Sequence, residues 1–178
     1  MANQDAPFGL RPIGRIGGTQ FNGGQNRYRI AANYGTAIFQ GDMVAQVTGG
    51  TVEIHADGGT VPIVGVFNGC EYTDPTTGKV TFSNHYPGSI VASDIVANVI
   101  DDPQTLFLID ADATFTRAGL FTNYSVTNVS TGGTGTSLPL KAIDISQDPD
   151  NSDVATANAN IKVVIENHIF GLKGAGLA

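Results

Sequence analysis

Apolar residues recur along this chain in short alternating or continuous runs, separated by breaks rich in glycine, proline and Asp or Asn. Runs of about four to eight residues with many Val, Ile, Thr and aromatic side chains predict β-strands, not helices. A first group covers residues 28–32, 43–47, 52–56 and 61–67, punctuated by Gly49-Gly50 and by Asp57-Gly58-Gly59, a hairpin signal. A second group begins at residues 80–82, after the Asp74-to-Gly78 turn signal. Residues 89–100, SIVASDIVANVI, partly fit a helical period, but their Val and Ile content argues for strand. TLFLID (105–110) predicts a buried strand, residues 113–129 two more, and residues 138–146 and 160–170 the last two. TGGTGTS (131–137) reads as a flexible loop tip, and residues 147–159 as a connection with room for one capped helical turn.

The first 26 residues break this pattern. Gly9, Gly14, Gly17, Gly18, Gly23 and Gly24 interrupt any helix, and Pro7 and Pro12 favour extended backbone. Phe8, Leu10, Ile13, Ile16 and Phe21 are spaced as anchors along a strap, not as one helix face. The expected organisation is therefore an extended N-terminal arm (1–26), a β-rich body (27–172) and a loose tail (173–178). The body divides on the same pattern at about residues 78 and 79. The fold class is all-β: a β-barrel or sandwich of short strands with little helix.

Composition agrees and narrows the function. The chain has 178 residues with 23 glycines, no Trp, and charged side chains at only 14%. No apolar run approaches the ~20 residues of a membrane helix, and no signal-peptide pattern opens the chain. One cysteine, Cys70, allows no internal disulfide and suits synthesis in a reducing cytoplasm. The net charge of −7 is unevenly spread: residues 1–29 carry Arg11, Arg15, Arg27 and Arg29 against Asp5, and the remainder balances at −10. An acidic body argues against nucleic acid. A basic arm on it suits an acidic protein surface, a neighbouring copy included, although four tail arginines also fit a merely solvated charge block.

Catalytic and metal motifs are missing from the pattern. DPTTGK (74–79) imitates the end of a phosphate loop, but Thr73 stands where its first glycine belongs and Val80 where Ser or Thr would hold magnesium. His55, His85 and His168 occur in no ligand pair, and no G-x-S-x-G elbow exists. DPDNSD (148–153) crowds oxygen ligands together but lacks the glycine and glutamate of a calcium loop. No cofactor or metal is expected, and no enzyme.

Three stretches carry a resemblance: PFGLRP from Pro7 to Pro12, the Gly41-Asp42 turn, and Gly65-Val66-Phe67-x-Gly69 before Tyr72. Together they cover about the first half of the chain. They are similar to the capsid decoration (cement) proteins of tailed bacteriophages, particularly those of marine and cyanobacterial phages. The resemblance implies a structural virion protein, made in the host cytoplasm and bound to the outside of the icosahedral head. It implies a homotrimer that clamps neighbouring major capsid subunits against DNA pressure, with no nucleic acid or membrane as partner. The arm residues expected to make the contact are Pro7, Phe8, Leu10, Arg11, Pro12, Ile13, Arg15 and Ile16. On that view, deleting residues 2–16 leaves a folded body that no longer attaches. A host-surface or carbohydrate-binding β-sandwich is the alternative, and Tyr72, Tyr86 and Tyr124 would be its stacking residues. An enzyme with a dispersed site would show itself by a strongly shifted carboxylate or His in a deep pocket. A major capsid protein fits less well, because its long spine helix has no counterpart.

Overall fold

In a computed structural model the chain is all-β, and the structure describes residues 3–56, 61–127, 130–134 and 138–171. The strands are β1 (Arg11–Arg15), β2 (Asn26–Arg29), β3 (Ile38–Phe39), β4 (Met43–Val47), β5 (Thr51–Ile54), β6 (Ile63–Thr73) and β7 (Val80–Ser83). They continue as β8 (His85–Tyr86), β9 (Val96–Ile100), β10 (Thr105–Asp110), β11 (Asn123–Thr127), β12 (Ser130–Thr134), β13 (Leu140–Ile145) and β14 (Asn160–Ile165). Helix is confined, among the described residues, to a 3-10 turn at Arg117–Gly119.

Two assemblies share one wall. Strands β4, β5, β2, β9 and β6 close into a barrel, because β6 pairs back with β4, and β7 hangs from the far part of β6 as a spur. The second assembly is an open sheet in the order β1, β10, β14, β13, β11, β12. A small β3–β8 pair caps the barrel. The barrel core holds Val44, Val52, Val64, Phe67, Cys70, Ala97 and Val99 under Ile30, Ile38, Tyr86 and Ile95. The second core lies between the open sheet and the outside of the barrel, where Met43, Ile63, Val66 and Ile100 meet Phe107, Ile109, Leu140, Ile161 and Val163.

The eleven residues of β6 explain this arrangement. Its burial pattern is nearly continuous, as expected of a strand covered on both faces. Register shifts at Val64 and Asn68 mark bulges that re-aim successive side chains, so Ile63 and Val66 serve one core and Val64 and Phe67 the other. Gly65 is required where β6 crosses β9, since a Cβ there would collide with the Ile100 carbonyl.

Several expectations need correction. The division near residues 78 and 79 falls inside the barrel assembly; the sequence crosses from barrel to open sheet between Ile100 and Thr105. Within the extended N-terminal segment, residues 11–15 form β1, which pairs antiparallel with β10 and is an edge of the open sheet. Residues 113–129 supply one strand and the 3-10 turn, since Arg117–Gly119 turns the chain under Tyr124, whose hydroxyl donates to the Gly119 carbonyl at 3.1 Å. Residues 131–134, expected in a loop tip, belong to β12, which finds its partner in β11 across a bulge. Residues 147–159 form turns held by Asp148 and Asn151 in place of a helical turn. The Asp57-Gly58-Gly59 turn, residues 135–137 and the 173–178 tail lie outside the described residues.

Candidate functional site

The proposed contact residues sit on the strap formed by residues 3–16, and its sequence dictates how it lies. Gly9 and Gly41 both adopt positive φ, +73° and +98°, and cross so closely that a Cβ on Gly41 would lie 3.0 Å from the Phe8 carbonyl oxygen. Only glycine tolerates both conditions. The crossing is locked by main-chain bonds: the Leu10 amide donates to the Gly41 carbonyl at 2.9 Å, and the Gly41 amide to the Phe67 carbonyl at 2.9 Å. The Phe67 amide in turn donates to the Asp42 carbonyl at 2.8 Å. Asp42 is buried, and its Oδ2 accepts from the Phe39 amide at 2.7 Å, which fixes the turn.

Leu10 enters the second core at 2% exposure, beside Met43, Val66 and Ile109. Phe8 and Pro12 are half-buried, and Pro7 is exposed. Arg11 is exposed and lies over the Phe8 ring, its guanidinium carbon 4.8 Å from the centroid. Arg15 forms an ion pair with Asp102, Nε to Oδ2 at 2.7 Å, and donates to Gln104 Oε1 at 3.3 Å. Ile13 and Ile16 are exposed at 39% and 54%. At its start the strap is pinned by Asn3, whose Nδ2 donates to the Thr156 hydroxyl at 2.7 Å and to the Asp153 carbonyl at 3.0 Å. Asn151 is buried and bonds both ways with the Gln4 main chain.

The eight residues thus separate into two sets. Leu10, Phe8, Pro12 and Arg15 bind the strap to its own chain. Pro7, Arg11, Ile13 and Ile16 face outward. Leu10, expected to make a contact with another protein, lies instead in this chain's own core, and deletion of residues 2–16 would strip a strand and a core side chain from the body.

Beside the crossing, a cavity of about 190 Å³ is lined by Phe8, Leu10, Arg11, Gln40, Phe67 and Ile100, among others. On the other side of Leu10 a second cavity, about 230 Å³, reaches Phe39, Met43, His55 and Ile109. A third, about 340 Å³ and more polar, lies between the 21–26 segment and Asp101–Asp102. There Asp101 accepts from the Tyr28 hydroxyl at 2.6 Å and from Asn26 Nδ2 at 2.9 Å.

Reactive groups are dispersed. His85 is exposed, whereas His55 and His168 are buried, and among the described residues no three His, Cys, Asp or Glu side chains group as a metal site. Cys70 is buried in the barrel, where desolvation pushes its thiol up to about 11, the opposite of an activated nucleophile. Burial lowers the His168 pKa, opposed by the nearby charges of Asp101 and Asp102. Burial also raises that of Asp110, with Asp5 and Asp112 adding to it and the Ala6 and Ala111 amides opposing it. These are a carboxylate and a histidine shifted by burial, the kind of group an enzyme would use, but neither lines any of the three cavities above. The DPTTGK segment is a hairpin turn, with Asp74 accepting from the Thr76 amide at 2.8 Å and from the Thr77 hydroxyl at 3.0 Å.

Gly41 and Asp42 entered the sequence reading only as a turn, Asp110 only as the end of a strand, and Asn151 only among the oxygen ligands of DPDNSD. The available signal was an acid closing a buried strand in TLFLID, and a glycine ahead of an apolar run in QGDMVAQV. No family model, curated protein or solved structure matches this chain.

Proposed function

We propose that this chain is a structural protein of a bacteriophage head, bound to the outer surface of the shell as a trimer and joining neighbouring major capsid subunits. One observation carries the reading. The three stretches that resemble capsid decoration proteins are distant in sequence, yet they meet in a single hydrogen-bonded crossing: Leu10 to Gly41, Gly41 to Phe67, Phe67 to Asp42. Three chance similarities would have no reason to converge, whereas a shared folded unit would.

In this reading the strap stays on its own chain and presents its outward set. Arg11 and Ile13 lie on β1, an edge strand of the open sheet, with Ile16 just beyond it, and an edge strand is a place where a partner segment can add. Arg11 supplies positive charge for carboxylates on the shell. Each contact is small, and repetition over a symmetric lattice raises the avidity. The test is binding to expanded heads that lack the protein, with bound copies counted against the major capsid protein. Ile13→Asp with Ile16→Asp changes exposed positions and leaves the core alone. The expected result is a folded variant that no longer binds, beside a wild type that binds in fixed ratio. Equal binding by both proteins, or no binding by wild type, overturns the proposal.

A further inference from the structure

The β7 spur has an outer edge that the fold leaves open. Strand β7 pairs with β6 through Thr73–Val80, Tyr72–Thr81, Glu71–Phe82 and Cys70–Ser83, and with no other described strand. The direction of its main-chain groups follows from β6. The Thr73 amide donates to the Asp94 carboxylate at 3.2 Å, away from β7, while the Asp74 amide donates to the Lys79 carbonyl at 2.9 Å, toward it. Backbone groups alternate along an antiparallel strand, so Thr81 and Ser83 bond to β6, and Val80 and Phe82 turn their N–H and C=O outward. The side chains of these same two residues are exposed, at 63% and 73%.

Natural edges are usually protected by charge, proline or a bulge. Val80–Ser83 has none of these. A large exposed aromatic beside free main-chain groups marks a pairing surface.

We infer that β7 pairs antiparallel with β7 of a second copy of this chain, about a two-fold axis at Thr81. The register is self-complementary. Val80 falls opposite the partner's Phe82, and Phe82 opposite the partner's Val80, so both exposed apolar side chains are covered at once. Those two positions are also hydrogen-bonded pairs, which gives four main-chain bonds across the axis. Thr81 faces the partner's Thr81 as a non-hydrogen-bonded pair, and Lys79 faces the partner's Ser83.

Charge does not oppose a copy as the occupant at this edge. The chain carries −7 in total and repels itself over most of its surface. At this edge, however, no charge meets a like charge. Glu71, beside Phe82, is already ion-paired with Arg27, and Lys79 and Asp74 share the hairpin turn. Four residues a side fall well short of the ~800 Å² per partner of a stable complex, so the dimer is weak and concentration-dependent. It goes beyond the head-protein reading and does not depend on it.

Sedimentation of the intact chain over about a hundredfold range of concentration reads the association directly. Val80→Pro removes an outward N–H and leaves every bond to β6 in place, and Phe82→Ser removes the apolar cover. Each is expected to weaken association tenfold or more with an unchanged circular dichroism spectrum. Should Val80→Pro lower the thermal midpoint, Phe82→Ser alone decides. Register is tested by Thr81→Cys, because a non-hydrogen-bonded pair has Cα atoms about 4.5 Å apart, within disulfide reach. Mild oxidation is expected to give a covalent dimer linked through position 81. Self-association that is equal in wild type and Phe82→Ser, or absent together with the cross-link, overturns the inference.

Discussion

Replacing Leu10 with alanine separates a strap that belongs to its own chain from one whose core lies elsewhere. Leu10 is 2% exposed and packs in the core shared by barrel and open sheet. The substitution removes three buried carbons, about 2.4 kcal/mol at ~0.8 kcal/mol each. Leu→Ala changes in cores cost about 2–5 kcal/mol, the upper values arising where a dry cavity remains. Here Leu10 stands between cavities of about 190 and 230 Å³, both partly open to solvent. Truncation joins two spaces that water reaches, which keeps the added cavity cost low and the total at ~2–3 kcal/mol. Urea unfolding is the assay: with an m-value of ~2 kcal/mol per molar, the midpoint falls by about 1 M. Hydrogen exchange adds a local reading, because the Leu10 and Ile16 amides, bonded to Gly41 and Gln104, should exchange faster. An unchanged midpoint would refute the placement of Leu10 in this chain's core and return the strap to another subunit.

Other outcomes follow from the same geometry. Gly41→Ala should cost stability beyond ~1 kcal/mol, from φ of +98° and a Cβ pressed within 3.2 Å of Gly9 Cα; a stable variant of unchanged midpoint would contradict the crossing. Deleting residues 2–16 should give aggregated or unfolded protein, read by circular dichroism, since β10 loses its edge partner as well as Leu10. Cys70 should resist thiol reagents at pH 8 in the native state and react at the unfolding rate in denaturant; rapid native labelling would show the barrel to be open.

Much of the strand content was legible because burial on one or both faces writes itself into the pattern. The long apolar stretch of β6 and the TLFLID of β10 announced themselves this way. The turn at Asp74–Lys79 was equally plain from its Asp, Pro and Gly. Edges were not legible. β1 contains Pro12 and Gly14, poor strand residues that an edge tolerates because only one side must hydrogen-bond. β12 is half Gly-rich linker in composition and becomes a strand by pairing with β11. The same limit applies to the site. Leu10, Ile13 and Ile16 look alike as strap anchors, and which of them points inward is decided by the crossing of Gly9 with Gly41, 32 residues further along the sequence. That crossing depends on tertiary contact, which local pattern does not encode.

Asp110 shows how far such contact can oppose local chemistry. It closes β10 at 1% exposure, and neither carboxylate oxygen has a hydrogen bond of ordinary geometry. Desolvation is the largest cause of its raised pKa, with Asp5 on the strap and Asp112 contributing. The sign follows directly. A folded-state pKa above 3.8 means that the native state binds the proton more tightly than the unfolded chain, so native stability gains as pH falls through the raised value and stops gaining below 3.8. Above that window the charged carboxylate is a standing cost of about 1–3 kcal/mol. His168 acts in reverse: its lowered pKa means stability present above 6.5 and lost as pH falls. Asp74, Asp94 and Asp144, all lowered, lose their contribution only below 3.8. Subtracting the Asp110→Asn variant from wild type cancels these other groups and isolates Asp110. The variant should be the more stable protein at pH 7, by about 1 kcal/mol, and the difference should close as pH approaches 4. Because Asp5 and Ala6 lie over this carboxyl, exchange of the strap amides should slow in the variant at pH 7. A variant less stable at pH 7, or a difference that does not change with pH, would mean that Asp110 is paired in solution and that the strap does not cover it.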